Sequence, residues 1–431
     1  MPVNNSISDK EFRKLLEKIC KFEDNPDVAV SVSGGSDSMS LLYLMNNWIK
    51  HKGGTITALI LDHKLRKNST SECLQVKKWI KNLNIKTKIL SWNERKPSSS
   101  LLETARKKRY EIVLNECKNL NIMHLLVGHQ LNDNIETYKM RAQRKGNIIG
   151  LSSISPLVHF NSVRIIRPFL QIKKKRLEET CKLFLKQWIN DPTNSCEKYE
   201  RIRIRKYLSV KKNQYFLDIQ KNIRKYVNKT KNIEKEVSNF FLKNLYFYNC
   251  GVFEFKKEAL YEYDNDIQVE IIKRLLTSCS GKSYPPKKKS VNRLIYSSKS
   301  QQSLHTLHSS IIETSITKFK IYRESFKTSL NMKNGLSIKK NNSAIWDYRF
   351  RLSCQSDDIV CSVINSKNWF EIKKNLVIEK YYNINFEIIK SLPLIHIKKI
   401  FLIPFLCPKL MHENKISFFF NPKTQLTNNK F

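Results

Sequence analysis

The sequence predicts an α/β fold, an open parallel sheet with helices on both faces, followed by a helical domain and a small β-containing C-terminal domain. Three observations predict it. Short buried-strand patterns alternate with helical patterns through the first 190 residues. A glycine- and serine-rich turn, SGGSDS, joins one such strand directly to an apolar-periodic helix. The pattern then turns helical and basic near Tyr207, and short-period and aromatic near Asn334. These shifts divide the chain into segments 1–210, 211–332 and 333–431.

The elements follow in order. VAVSV (Val28–Val32) reads as a buried strand and Ser38–Lys50 as a helix. Thr55–Leu61 is a second strand, Ser71–Leu83 a second helix and Ile85–Leu90 a third strand. Ser100–Leu120 is a long amphipathic helix, Ile122–His129 a fourth strand and Asp133–Arg144 a fourth helix. Val163–Phe169 reads as a fifth strand. In an open parallel sheet, ligands bind at the carboxyl ends of the strands, so the ends of the first, second and fourth strands should share one crevice. Downstream, YPPKKK (Tyr284–Lys289) punctuates the helical segment, and NFFLKNLYFY (Asn239–Tyr248) reads as core.

Lys and Arg total 78 against 38 Asp and Glu, a formal charge of +40. Self-repulsion opposes compaction at that charge, so a polyanion partner is indicated, nucleic acid first. A drift toward Lys, Asn and Ile contributes to the excess. None of the ten cysteines has C-x-x-C spacing, which argues against a zinc ribbon or redox dithiol and fits a reducing cytoplasm. MPVNNSISDKEFRKLLEKICK has no apolar signal region, and the longest apolar run, Ile400–Pro408, is too short to span a bilayer. No membrane association is expected.

The SGGSDS turn has the makings of an anion cradle. Gly34 and Gly35 let backbone N–H groups face a ligand, Ser33, Ser36 and Ser38 add hydroxyls, and the helix N-terminus adds partial positive charge. Asp37 would repel phosphate unless a divalent cation bridges them. The turn lacks the G-x-x-x-x-G-K-[ST] of P-loop NTPases. It resembles the PP-loop of the N-type ATP pyrophosphatases, which cleave ATP between the α and β phosphates and adenylate a carbonyl oxygen for later displacement.

Further stretches resemble the tRNA(Ile)-lysidine synthetases within that superfamily. LDHKLRKNSTSE (Leu61–Glu72) resembles D-H-G-L-R-x-x-S-x-x-E, with Lys64 in place of the glycine. LETARKKRY (Leu102–Tyr110) resembles L-E-x-x-A-R-x-x-R-Y, one residue shorter. GHQLNDNIET (Gly128–Thr137) resembles H-H-x-D-D-x-x-E-T, with Gln130 and Asn132 departing. Trp188–Arg205 resembles W-x-x-D-P-[ST]-N…R-N-R-I-R, with Ile202 for the asparagine. RKGNIIGL (Arg144–Leu151) departs most from R-G-[ST]-G-x-x-G-L, at Lys145 and Asn147.

The resemblance implies ATP-dependent ligation of free L-lysine to C2 of the wobble cytidine in tRNA(Ile) with anticodon CAU, through an adenylated cytidine. It implies ATP held by Ser33–Ser38, Asp62 and His63. It implies Mg²⁺ on Asp37 and Asp133, and catalytic roles for Asp37, His129, Asp133, Arg106 and Arg109. Arg201, Arg203 and Arg205 would contact tRNA, with both C-terminal segments assisting, and a homodimer is implied. Structural readings stand beside these. Asn132 and Asp133 could cap the fourth helix, Asp62 and His63 could form a turn, and Glu103 could pair with Lys107. The rival functions are a tRNA thiolase of the same superfamily and an inactive basic RNA-binding protein.

Overall fold

A computed structural model describes residues 5–66, 68–97, 101–160, 162–185, 187–189, 200–299, 302–375 and 384–427. The contacts divide the chain into two compact units, one running to Thr230 and the other starting at Lys231.

The first unit runs α1 (Asp9–Glu17), β1 (Asp27–Val32), α2 (Ser36–Lys50), β2 (Thr55–Asp62), α3 (Ser69–Lys81), β3 (Lys86–Ser91) and α4 (Leu101–Asn119). It continues with β4 (His124–Val127), α5 (Leu131–Gln143), α6 (Ile148–Leu151), β5 (Leu157–Phe160), β6 (Val163–Ile166), α7 (Lys174–Lys182) and α8 (Glu200–Ser209). The start of α9 (Asn213–Asn244) completes it. The strands form one sheet in the order β3-β2-β1-β4-β6-β5. All neighbours are parallel except β5 and β6. The helices cover both faces. Leu41, Leu42 and Met45 of α2, Val76 of α3 and Leu177 of α7 join one core. Val113, Leu114 and Cys117 of α4 pack on the other face with Ala29, Leu59 and Leu125. This is the open parallel sheet with helices on both faces that the pattern predicts, and the PP-loop ATPase fold that the resemblance implies. A short antiparallel strand, β5, joins the expected fifth strand as a hairpin at the sheet edge.

Sheet order positions the site. From β1 the chain goes to β2 and β3 on one side, then returns through α4 to β4 on the other. The carboxyl end of β1 is therefore the switch point, flanked by the ends of β2 and β4.

The second unit begins with the rest of α9, then β7 (Tyr246–Tyr248), β8 (Val252–Lys256), α10 (Lys257–Tyr261), α11 (Asn265–Ser280) and α12 (Lys288–Ser297). Next come β9 (Ser303–Leu307), β10 (Ser310–Thr314), β11 (Lys318–Arg323), α13 (Ser325–Asn331), β12 (Leu336–Ile338) and β13 (Ser343–Trp346). It ends with β14 (Phe350–Cys354), β15 (Ile359–Val363), α14 (Ser366–Asn375), α15 (Phe386–Lys390), β16 (Pro393–Ile397), β17 (Ile400–Leu402), α16 (Pro408–Glu413) and β18 (Ile416–Phe420). Segment 211–332 thus holds the expected helices and also an antiparallel sheet, β7-β8-β11-β10-β9. Two smaller sheets, β12-β15-β16-β17 and β13-β14-β18, form the β-rich C-terminal part. In the NFFLKNLYFY stretch, Phe240 and Phe241 are buried, while Tyr246, Phe247 and Tyr248 on edge strand β7 are exposed. Among the described residues, no helix is long and apolar enough to cross a membrane.

Candidate active site

β1 runs into the SGGSDS turn, and α2 starts at its fourth residue. Gly34 has φ +82°, and a Cβ there would lie 2.5 Å from Val76 Cγ2, so glycine is required twice over. Its carbonyl accepts the Ile189 N–H at 3.0 Å. Gly35 caps α2 without a side chain, leaving the first-turn N–H groups with no capping side chain. Ser38 is buried and closes the turn: its Oγ accepts the Ser33 N–H at 3.1 Å and donates to Gly35 O at 3.0 Å. It works inside the cradle, whereas Ser33 is exposed at its rim.

The loop after β4 lies against this turn. A Cβ on Gly128 would sit 3.0 Å from Asp37 O, so the two backbones nearly touch. The expected fourth strand stops at Val127, which leaves Gly128 and His129 in the loop at the strand's carboxyl end. His129 Nδ1 is buried with no hydrogen-bond partner among the described residues. Burial, then the charges of Arg167, Arg106, Arg201 and Arg109, hold the imidazole well below its usual range, so it is neutral.

α5 opens with a capping box. Gln130 Oε1 accepts the Asn132 N–H at 2.7 Å, and Asp133 Oδ2 accepts the Gln130 N–H at 3.0 Å. Asp133 Oδ1 accepts from Arg201 at 2.7 Å. One turn on, Glu136 is only 1% exposed and accepts from Arg201 Nε at 2.7 Å and Arg205 Nε at 2.8 Å. Arg201 and Arg205, expected at the tRNA, are therefore engaged with the site carboxylates. Arg203, between them on α8, is exposed. The structural reading of Asp133 as a cap holds alongside its place in the site, while Asn132 is exposed.

Asp37 is pushed up to about 6, first by burial and then by the charge of Asp133, against the pull of Lys174. Burial also raises Asp133, despite Arg201. The Asp133 charge therefore acts on Asp37 across the crevice. Asp133 has both oxygens engaged, and no group of three His, Cys, Asp or Glu among the described residues could hold a metal. Asp37 Oδ1 accepts from Ser36 Oγ at 3.2 Å.

At the end of β2, Asp62 is 1% exposed, and its carboxylate accepts from Lys64 N (2.9 Å), Ser69 Oγ (2.7 Å) and Thr70 Oγ1 (2.6 Å). These bonds hold the turn into α3, so Asp62 braces the crevice wall at the end of β2. His63 beside it accepts from Arg109 Nε at 3.2 Å, which ties the β2 turn to α4. Arg106 and Arg109 are both exposed on α4, and Glu103 pairs with Lys107 at 2.7 Å. The Asn190–Tyr199 part of the W-x-x-D-P-[ST]-N motif lies outside the described residues.

Three groups escaped the sequence reading. Glu136 anchors the two arginines. Buried Arg167, just past β6, donates to Ser155 O at 2.8 Å and Tyr110 Oη at 3.4 Å, near His129. Lys174 opens α7 and acts on Asp37. Their signals were the glutamate one turn after Asp133, an arginine ending a buried strand, and the KKK run at Lys173–Lys175.

A family profile described as a PP-loop domain matches residues 4–211. The tRNA(Ile)-lysidine synthase of Orientia tsutsugamushi (strain Boryong) is 28% identical, over 95% of this chain and 96% of that protein. That of Rickettsia felis is 31% identical, over 88% of this chain and 89% of that protein. That of Rickettsia prowazekii is also 31% identical, with the same coverage. Among solved structures, the U34-tRNA thiolase NcsA from Methanococcus maripaludis is similar at 19% identity and a TM-score of 0.44, over 51% of this chain and 78% of that one. With a PP-loop site at one end and relatives aligned along nearly its whole length, the chain belongs to the tRNA(Ile)-lysidine synthase family.

Proposed function

We propose that this protein uses ATP to ligate free L-lysine to C2 of the wobble cytidine of tRNA(Ile) with anticodon CAU, changing its decoding from AUG to AUA. One observation carries the reading: the SGGSDS cradle, neutral His129 and the Asp37–Asp133 pair meet at the ends of β1 and β4. The cytidine C2 oxygen attacks the α-phosphorus, and the bond to pyrophosphate breaks. A lysine amino group then attacks C2, loses a proton and displaces AMP.

The chain's groups divide this work. The α2 N-terminus and Ser33–Ser36 hold the pyrophosphate end of ATP. Asp37, with Asp133 facing it, fits Mg²⁺, which when bound neutralises charge developing on the leaving pyrophosphate. His129, neutral at working pH, orients the cytosine or assists proton transfer beside it. Arg106 and Arg109 meet the adenylate or nearby phosphates. Glu136, through Arg201, orients Asp133. Arg203 contacts tRNA phosphate, as do the two C-terminal segments. The reading includes a cytoplasmic location and a homodimer. Persulfide chemistry is disfavoured at four of the cysteines, because burial raises Cys73 to about 11 and Cys117, Cys181 and Cys361 to about 12, the opposite of a reactive thiolate.

The test is incorporation of radiolabelled lysine into a CAU transcript with ATP and Mg²⁺. ATP-dependent labelling that is lost when the wobble base becomes U supports the reading. Pyrophosphate release on adding tRNA, without lysine labelling, would replace lysine with another nucleophile.

A further inference from the structure

In the second unit, Asp347 and Tyr348 stand in succession in the left-handed region, at φ +45° and +57°. For a bulky side chain that conformation is strained, and it persists only where its surroundings enforce it. Here they do. Asp347 is 1% exposed and accepts from Arg323 (2.9 and 3.0 Å), Arg349 Nε (2.9 Å), Thr328 Oγ1 (2.8 Å) and Asn331 Nδ2 (2.6 Å). The flanking carbonyls are pinned too: Tyr348 O accepts the Lys423 N–H at 3.2 Å and Arg349 O the Asn421 N–H at 2.6 Å.

All of this fixes the backbone under a tyrosine that is 58% exposed. The core does not account for a tyrosine there, since glycine or asparagine would satisfy the turn with less strain. Its backbone neighbour is a glycine that opens a cationic and aromatic turn. A Cβ on Gly281, the C-cap of α11, would lie 2.9 Å from Tyr348 Cβ. Lys282 follows, with its Nζ 6.0 Å above the ring of Tyr284, itself 62% exposed. Tyr284 is steadied edge-on by His308 at 5.6 Å. Burial and the charges of Arg323 and Lys327 depress Lys282, so an added anion would relieve this cluster.

We propose that Tyr348 and Tyr284, with Lys282, form a stacking site for an unpaired nucleotide of the tRNA, Lys282 meeting its phosphate. An exposed ring next to a cation accepts any base through its π-face. A strained turn fixes the ring in advance, so less freedom is lost on binding. The inference rests on the proposed function only in taking tRNA as the bound polyanion.

The experiment uses the full chain and reads tRNA binding and melting temperature, neither of which requires lysidine formation. Tyr348→Asn removes the ring and suits the left-handed turn. It should raise Tm by about 2 °C and weaken binding of a tRNA transcript about tenfold. Tyr348→Trp should bind within about twofold of wild type, and Lys282→Gln should lower the salt slope by about 1. A short single-stranded RNA should compete for the site, and an RNA duplex of the same length should not. Unchanged tRNA affinity in Tyr348→Asn would overturn the proposal. So would a Tm loss matching the affinity loss, which marks a packing role, or equal competition by duplex. Tyr348-dependent binding in a protein that makes no lysidine would keep the inference and sink the proposed reaction.

Discussion

Asp37 lies in the first turn of α2, where a helix N-terminus ordinarily favours a carboxylate, yet burial and Asp133 push it up to about 6. Between its ordinary value of 3.8 and about 6, the folded protein binds a proton that the unfolded chain has released. Stability therefore falls as pH rises through that window. Without Mg²⁺, Asp37→Asn should be more stable than wild type by about 3 kcal/mol above it, and equal below it, in urea melts across pH. Asp37→Ala should abolish turnover while leaving tRNA affinity within about threefold by filter binding; a fully active variant would remove the metal role. Two departures from the family motif also become intelligible at this scale. Lys64 and Lys145 stand where the motifs carry glycine, and both adopt left-handed backbone, φ +49° and +53°. The turns survive because Asp62 accepts the Lys64 N–H and Asn147 caps α6 by accepting the Gly150 N–H at 2.8 Å. Lys64→Gly should raise stability by about 0.5 kcal/mol. The motif's glycine shows that such a conformation is needed, but the bonds that let lysine take it over lie in the fold.

Helices α5 and α8 meet through apolar Leu131, Ile135, Ile204 and Leu208, and beside that contact Arg201 and Arg205, one turn apart, both reach Glu136. Removing one partner of a buried pair leaves the other charge uncompensated. Glu136→Ala should cost about 3 kcal/mol in urea unfolding, and Arg205→Ala clearly less, because its side chain is 44% exposed. Arg203, two residues from each arginine, faces outward. Arg203→Ala should weaken tRNA binding and lower its salt slope by about 1; an unchanged slope would take it out of the phosphate contacts. The period of the ERIRIR stretch puts these arginines on different faces. Which of them pairs with a carboxylate depends on Glu136 in another helix, which the stretch by itself does not reveal. The strands β1 to β4 and their helices were legible because each is a strong single-period run. β7 to β11 were not, because their short strands lie between long basic helices and read as part of them.

At the scale of the whole molecule, charge acts on folding and binding with opposite signs. The formal +40 is spread over both units, so self-repulsion opposes each compact state and salt relieves it. Raising salt from ~50 to ~200 mM should therefore increase the Tm of the free protein by about 2 °C. The same change weakens tRNA binding, because each counterion released gains less entropy in the saltier solution, and the loss should exceed about a hundredfold if several lysines and arginines meet phosphates. Base discrimination should not follow. If the wobble cytidine is read in the crevice beside Asp37 and His129, the preference for a CAU over a UAU transcript rests on groups in a confined site, which salt screens little. The ratio of kcat/KM for the two transcripts should stay within about twofold while both values fall steeply. Parallel titrations of Tm, tRNA affinity and that ratio on one preparation separate the effects. A Tm that falls with salt would mean that ion pairs such as Arg201–Asp133 outweigh the repulsion. A collapsing ratio would move the specificity of the reaction out of the crevice and onto the phosphate-binding surface.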